Sequence, residues 1–452
     1  MTIDELKKLL GVLMLTGIVK KPEQTDYWST DELLNTPIFG KTLPRNRFQL
    51  LMKFLHFSNN DDIPADNEDK LIKVRPIIDA LIPKFGEYYN PHEHVSIDEG
   101  MLKWKGRLVF RVYNPMKPIK YGIKSYILAD SHSAYCWNMI VYDGTHRTLH
   151  EIVFALLEGL VGHFYSLYMD NYYNSVALSE ALLRSDTYVV GTLRKNRGEP
   201  QEIRDCGTRG HVLQRGDILA RDNENCIVIA WQDKRCVKAI SSKHSDAMGE
   251  VQVRQRGGGR ERLRKPELVI DYNANMNGVD CVDQMLSYYP TVRKTIKWTK
   301  KLSLYMVELS IHNSHIIFNE KQAQGDKMTL CEFQMSLIRP LISVAPPPNS
   351  SDSMEKSLFY SVMCDETTDI SVTKELIVYT RYLSGGKSVT RFLEVRELPD
   401  GCAETIFQSL LKMEEEFDFD FKNKLAAYDQ ENCRYKMDVT GQGGDSREKV
   451  YS

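Results

Sequence analysis

His94-Val-Ser-Ile-Asp-Glu-Gly-Met-Leu-Lys-Trp104 is the stretch at which the chain changes character. Its short β-branched run, Val95 to Ile97, reads as a strand rather than a helix. It sets one carboxylate, Asp98, at the heart of that strand, where an ionised group is costly to bury unless something compensates it. Glu99 follows directly and therefore points to the opposite face, because strand side chains alternate. The same reading extends downstream. Arg107–Tyr113, Ile119–Ala129 and Tyr135–Tyr142 are further strands, with turns at Lys105-Gly106 and Asp143-Gly144. Thr148–Val161 is an amphipathic helix, His163–Met169 a strand that ends at Asp170, Ser175–Arg184 a helix and Thr187–Leu193 a strand. A run of strands followed by alternating helices and strands predicts an α/β fold, a mixed sheet covered by helices.

Outward from this core the organisation is coarser. Residues 1–90 read as a helical N-terminal domain, with Leu6, Leu9, Leu10 and Leu13 on one face, then Leu50, Leu51, Phe54 and Leu55, then Ile72, Val74, Ile77, Ile78 and Leu81. Residues 91–200 form the first part of the core. Residues 201–265 interrupt it with short β runs (Ile227–Trp231, Val237–Ile240) and an Arg- and Gly-rich stretch. Residues 266–340 return to helices, the longest being Ile296–Asn319. Residues 341–355, containing Ala345-Pro-Pro-Pro-Asn-Ser-Ser-Asp-Ser353, are the linker. Residues 356–452 are a short final segment with strand-like Phe359–Met363 and Leu376–Tyr382 and a helix over Thr405–Phe417.

Composition narrows the function classes. Apolar residues at 42% and charged residues at 27% are ordinary globular values, which excludes wholesale disorder. Fifty-nine Lys and Arg against 61 Asp and Glu give −2, which excludes a globally basic nucleic-acid binder and leaves a locally basic one. No apolar run approaches 18 residues, so no membrane helix is expected. Asp4 and Glu5 at the start argue against a secretory signal. Nine cysteines without a single C-x-x-C spacing predict reduced thiols rather than a disulfide scaffold or a zinc ribbon.

Acids and bases then separate. Asp98 lies in one strand, Asp170 ends another, and Asp280 and Asp283 are spaced to share a helix face in Gly278-Val-Asp-Cys-Val-Asp-Gln284. Strand, strand and helix can bring acids to one sheet edge, where a hard cation such as Mg²⁺ would offset their charge. Taken singly, an Asp at a strand end is more plainly a turn or cap residue. Lys103, Lys105, Arg107, Arg111, Lys117, Lys120 and Lys124 form a run without a single acid. Arg293, Lys294, Lys297, Lys300 and Lys301 surround Trp298. Such clusters neutralise phosphates, and Tyr113, Tyr121 and Trp298 could stack on an unpaired base. Solvated faces and core aromatics are the plainer alternative for each run alone. A third cluster, Arg254 to Lys265 around Gly257-Gly-Gly259, would suit a nuclear-import signal.

At these residues the sequence resembles piggyBac-type transposases. The resemblance runs through Asp26-Tyr-Trp28, Ser96-Ile-Asp-Glu99, Lys105-Gly-Arg107, Lys117-Pro-Ile-Lys-Tyr-Gly-Ile-Lys124, Met169-Asp-Asn-Tyr-Tyr173, Gly191-Thr-Leu-Arg194, Tyr272-Asn273, Gly278 to Gln284 and Lys297-Trp298, over about residues 1–340. It implies an RNase H-like core with a β-rich insertion before the third acid. It implies Asp98, Asp170 and Asp280 as a catalytic, metal-binding DDD/DDE-type triad with Asp283 as an additional acid. Mg²⁺ or Mn²⁺ is the implied cofactor. The implied partners are double-stranded DNA, transposon ends and TTAA targets, and a second copy of the chain; the implied compartment is the nucleus. The family's polar N-terminal extension and C-terminal cysteine-rich zinc module have no counterpart here, which opens an alternative: a domesticated DNA- or chromatin-binding protein without catalysis. After residue 355, Phe359 to Asp369 and Gly441-Gln-Gly-Gly-Asp445 are similar to the start of an hAT-type transposase domain, implying Asp365 and Asp445 as its first two acids in an incomplete fragment.

Overall fold

The structure, a computed structural model, describes residues 1–342 except 116, 118, 209–212, 255–259, 292–294 and 296. Beyond them it describes 360–368, 374–384, 387–398 and 425–430, with single helical positions at 405, 408, 409 and 412. The linker motif 345–353, Arg293, Lys294, the Gly257 to Gly259 run, Asp445 and most of the 405–417 helix lie outside the described residues. The chain divides into two compact units, 1–343 and 344–452.

The first unit opens with four helices: α1 (Ile3–Ile18), α2 (Pro37–Thr42), α3 (Arg45–Phe54) and α4 (Arg75–Tyr88). The first starts at a capping box in which Thr2 and Glu5 satisfy each other's backbone N–H. The sheet strands are β1 (His94–Lys103), β2 (Val112–Tyr113), β3 (Tyr121–Asp130) and β4 (Cys136–Val141), followed by α5 (Leu149–Leu156), β5 (Ser166–Met169), α6 (Val176–Leu183) and β6 (Tyr188–Thr192). β1 pairs antiparallel with β3, and β3 with β4, while β5 lies parallel to β1 on its other side and β6 parallel to β5. A three-strand antiparallel meander whose first strand continues into parallel strands through helical crossovers is the RNase H-like arrangement. β5 explains itself: Leu167 and Met169 enter the core under one face, Tyr168 the core under the other, so this central parallel strand is apolar on both sides.

Two expected elements shrink. Arg107–Tyr113 is a strand only at its last two residues, because Arg111 Nη1 donates to the carbonyls of Lys105 and Gly106 (2.8 and 3.1 Å) and holds the segment in a turn. The 148–161 helix stops at Leu156, and Gly159 adopts a left-handed φ of 94° just beyond.

The insertion does not stand apart from the sheet. After α7 (Gln201–Asp205) come β7 (Ile218–Asp222), β8 (Ile227–Gln232) and β9 (Cys236–Ser241), and β9 pairs antiparallel with β6, so the sheet simply continues. The apolar faces of these strands cover what would otherwise be an open edge at β6. A hairpin, β10 (Met248–Arg254) and β11 (Arg260–Pro266), leads into α8 (Glu267–Asn275), α9 (Gly278–Tyr288), α10 (Trp298–Glu320) and α11 (Leu330–Ile342). Leu304 and Ile311 of α10 and Phe333 and Ile338 of α11 share one core with Leu9, Val12 and Leu13 of α1, which joins the two helical ends of the unit. No described helix is long and apolar enough to cross a membrane.

In the second unit β12 (Tyr360–Thr368), β13 (Lys374–Ser384), β14 (Lys387–Leu398) and β15 (Leu425–Gln430) are ordered β14-β13-β12-β15, with β15 parallel to β12. That repeats the order β4-β3-β1-β5 of the first unit. Asp365 faces Ile377 across β12 and β13, as Asp98 faces Ile127 across β1 and β3.

Candidate active site

The ladder between β1 and β5 runs from His94–Ser166 to Ile97–Met169. Asp98 and Asp170 are the next residues of the two chains, so parallel pairing alone brings the acids side by side. Asp170 is fixed there by its own turn, its Oδ1 accepting the Tyr172 N–H at 2.8 Å. Asn174, fully buried, folds back and donates to the carbonyls of Met169 (2.8 Å) and Thr192 (3.1 Å), tying the end of β5 to β6. It passes over Gly191, where a Cβ would collide with both the Asn174 amide and the Met169 carbonyl.

The third and fourth acids arrive on α9, and glycines set how closely. A Cβ on Gly278 would sit 2.5 Å from Ser96 Oγ, and one on Gly100 would lie 3.7 Å from Asp283 Oδ1. Ser96, Asp98 and Gly100 share one face of β1, so α9 lies against that face with contacts on either side of Asp98. Asp280, in the first turn of α9, is exposed; Asp283, one turn on, is partly buried.

Five carboxylates thus crowd one region, and their proton affinities respond. Burial, with Asp98 close by, raises the Asp170 carboxyl above the usual range despite its N–H bonds and Arg194. Burial raises Glu99 even against Lys124, with Asp98 and Asp170 adding to it. Burial, opposed by Lys117 and reinforced by Asp280 and Asp98, pushes Asp283 up to about 6. The Tyr272 hydroxyl on α8 is raised to about 12, first by burial and then by the fields of Asp170, Asp98 and Asp280 together.

Asp283 yields a stability prediction. Its pKa rises from 3.8 in the unfolded chain to about 6 when folded, so between those values the folded form holds a proton that the unfolded form has lost. Stability from this group is therefore complete below pH 3.8 and is lost as pH rises through 6. At about 1.4 kcal/mol per pH unit this is up to about 3 kcal/mol. Denaturant titrations at pH 4.5 and 7.5 should show Asp283→Asn relieved of most of that loss; an unchanged difference between the two pH values would refute the placement.

Two lysines meet the acids. Lys117 Nζ lies 3.3 Å from Asp98 Oδ2 and 3.1 Å from the Glu99 carbonyl. On the opposite face of β1, Lys124 Nζ lies 3.0 Å from Glu99 Oε1, between the rings of Tyr126 and Tyr172 at 4.5 and 4.7 Å. Asp98 and Glu99 thus face opposite ways, as alternation requires. Among the described residues, no three His, Cys, Asp or Glu side chains are arranged to hold a metal ion. In chemistry the acids fit a hard divalent cation, since all are oxygen donors and three of them, Asp170, Glu99 and Asp283, carry raised proton affinities that a cation would relieve.

The predicted DNA-facing residues divide. Lys103, Lys105, Arg107, Arg111, Lys120 and Lys297 are exposed. Arg111 lies over the exposed Tyr121 ring at 5.3 Å, and Tyr121 packs on exposed Tyr113 at 4.6 Å. Lys117 and Lys124 instead face the acids. Lys300 is buried, its Nζ donating to the carbonyls of Met52 and Lys53, which cap the end of α3. Lys301 is partly buried, and burial with Lys103 nearby lowers its proton affinity. Trp298 packs edge-on to Phe110 at 5.3 Å against the main core. Lys300 is thus engaged inside the fold, while Trp298 stays partly buried at the edge of the core. A charge run in sequence does not reveal which of its members find partners inside.

A family model described as Transposase IS4 matches residues 1–315. Human PiggyBac transposable element-derived protein 2 is 25% identical over 328 residues, covering 70% of this chain and 55% of that protein; human PiggyBac transposable element-derived protein 3 is 25% identical over 347 residues, covering 71% and 56%. The cryo-EM structure of a piggyBac transposase synaptic complex with hairpin DNA aligns with a TM-score of 0.67 and 26% identity, over 79% of this chain and 76% of that one. This chain belongs to the piggyBac transposase-derived family. It spans about half the length of the two human relatives. A second family model, described as ZMYM1/FAM200, RNase-like domain, matches residues 303–430, overlapping the segment likened above to hAT transposases.

Asn174 escaped the sequence reading, and Gly191 and Tyr272 entered it only as part of the family resemblance, with no role attached. Asn174 stands four residues beyond Asp170, inside the Met169-Asp-Asn-Tyr-Tyr-Asn174 run, where an Asx residue closing a turn was a readable signal.

Proposed function

We propose that this piggyBac-family chain binds double-stranded DNA and cleaves and rejoins its phosphodiesters with the help of a divalent metal, acting in the nucleus on transposon-end and TTAA-type sequences, as one of a pair of copies. The observation that supports it most is the convergence of Asp98 and Asp170 on adjacent parallel strands under the Asp280–Asp283 turn of α9. Asp98, Asp170 and Asp280 would hold Mg²⁺ or Mn²⁺, which when bound stabilises the charge on the attacking and leaving oxygens. The chain's own residues do the rest. Asp283, its carboxyl pushed up to about 6 by burial, adds a fourth carboxyl at the same region. Lys103, Lys105, Arg107 and Lys120 supply exposed cations. Tyr113 and Tyr121 give an exposed aromatic pair.

A second reading has a specific observation behind it. The exposed Lys103, Lys105, Arg107 and Lys120, with the exposed Tyr113–Tyr121 pair, need no metal to meet a phosphate backbone, so the fold could serve as a DNA-binding module without chemistry. Both readings share the electrostatic footing, and one measurement addresses it. Lys105→Ala with Arg107→Ala should weaken duplex binding and reduce the slope of log affinity against log salt by about 2, since each lost phosphate contact removes about 0.9. An unchanged slope would mean DNA lies elsewhere. Nicking of a TTAA-containing duplex in Mg²⁺ or Mn²⁺, abolished by chelation, then separates catalysis from binding alone.

A further inference from the structure

Both oxygens of Asp98 are already engaged by the chain itself. Oδ1 accepts the backbone N–H of Glu99 at 2.7 Å, and Oδ2 stands 3.3 Å from Lys117 Nζ. The ammonium comes from the loop between β2 and β3, closed at its base by Asn114 N–H donating to the Lys120 carbonyl at 2.8 Å. It can therefore withdraw without breaking a strand pairing. Lys124 cannot, since it sits in the β1–β3 ladder opposite Met101, pinned between two tyrosine rings. The Lys117–Asp98 pair is also the wetter of the two, with side chains 24% and 17% exposed against 14% and 13% for Lys124 and Glu99.

We propose that Lys117 is a resident counter-ion of Asp98, standing in the place of a divalent cation and leaving when one binds. The inference rests on the metal-site reading above. The Oδ2 end of Asp98 is the end not tied to backbone, so a metal would take that oxygen. A hard cation coordinates oxygen at about 2.0–2.1 Å, which drives it against an ammonium of like sign held at the same oxygen. The two cations exclude each other. Until the exchange, Lys117 holds the Oδ2 end of the carboxylate in place.

Amine-reactive footprinting of the full chain tests this without any reading of activity. The acetylation rate of Lys117, followed by peptide mass spectrometry relative to exposed Lys105, should rise several-fold when Mn²⁺ is added to the wild-type protein. Asp98→Asn should give a similar rise with no metal present. Unchanged Lys117 labelling in Asp98→Asn overturns the inference, because the ammonium is then not held by that carboxylate. Mn²⁺ binding to the wild type, seen by water-proton relaxation, with Lys117 labelling unchanged, also overturns it while leaving the metal site intact. A rise in Asp98→Asn together with no Mn²⁺ binding by the wild type overturns the metal-site reading, and the exchange with it.

Discussion

Asp98→Asn is expected to remove metal-dependent nicking of duplex DNA by this chain, with a loss of about 1,000-fold or more. A bound metal contributes several kcal/mol of charge stabilisation to phosphodiester displacement, and each 1.4 kcal/mol is about a factor of ten in rate. Among the acids, Asp98 has the most central placement: it lies on β1 between Asp170 of the neighbouring strand and the face of α9. The amide keeps the shape of the side chain and the Glu99 N–H can still find its oxygen, so the fold should survive. Binding to DNA should persist, with its salt dependence intact. Asp79→Asn, on the exposed side of α4, serves as the matched control and should nick as the wild type does. Equal nicking by the Asp98 variant and the wild type would end the catalytic assignment. Salt-sensitive binding with no nicking by either would leave the non-catalytic reading standing.

Gly191→Ala should destabilise the first unit by about 3 kcal/mol, the upper end of the range for overpacking a filled interior. Its partner across the ladder is Met169, the residue before Asp170. An added methyl at this point meets the Met169 carbonyl, which belongs to a central strand and cannot yield, and the Asn174 amide, which bonds two carbonyls there. Pushing Asn174 aside leaves those buried carbonyls without their donor, a further loss. Because the contact lies at the end of β5, any nicking activity should fall along with the denaturation midpoint. Gly325→Ala, where an added Cβ meets nothing within 4 Å and no left-handed φ is required, should leave the midpoint near the wild-type value. A midpoint for Gly191→Ala equal to that control would show that β5 and β6 are not packed as described.

The sheet's middle strands and the order of helices between them were readable because each depends on a few neighbouring residues. Leu167 to Met169 is apolar on consecutive positions, as a strand buried on both faces must be, and the Asp98–Glu99 alternation fixes opposite faces with no tertiary information. Boundaries were less readable. The strand expected over 107–113 lost most of its length to a single side chain, Arg111, whose guanidinium prefers two carbonyls to solvent. The insertion read correctly as β-rich, yet nothing in its residues named β6 as the strand it would join.

What the sequence determined alone was therefore local: the kind of element at each place, the face each acid occupies, and the family to which the ordered motifs point. Only the tertiary structure decided which lysine would meet which acid, which cations would stay at the surface and which tryptophan would be core. The reason is physical. Periodicity is written within one or two turns of chain, whereas the Tyr168 hydroxyl finds Asp271 across 103 residues and Lys300 reaches the α3 carbonyls across 247 or more. Pairings at such separations follow from how sheets and helices close on one another, and no short stretch of residues encodes that closure.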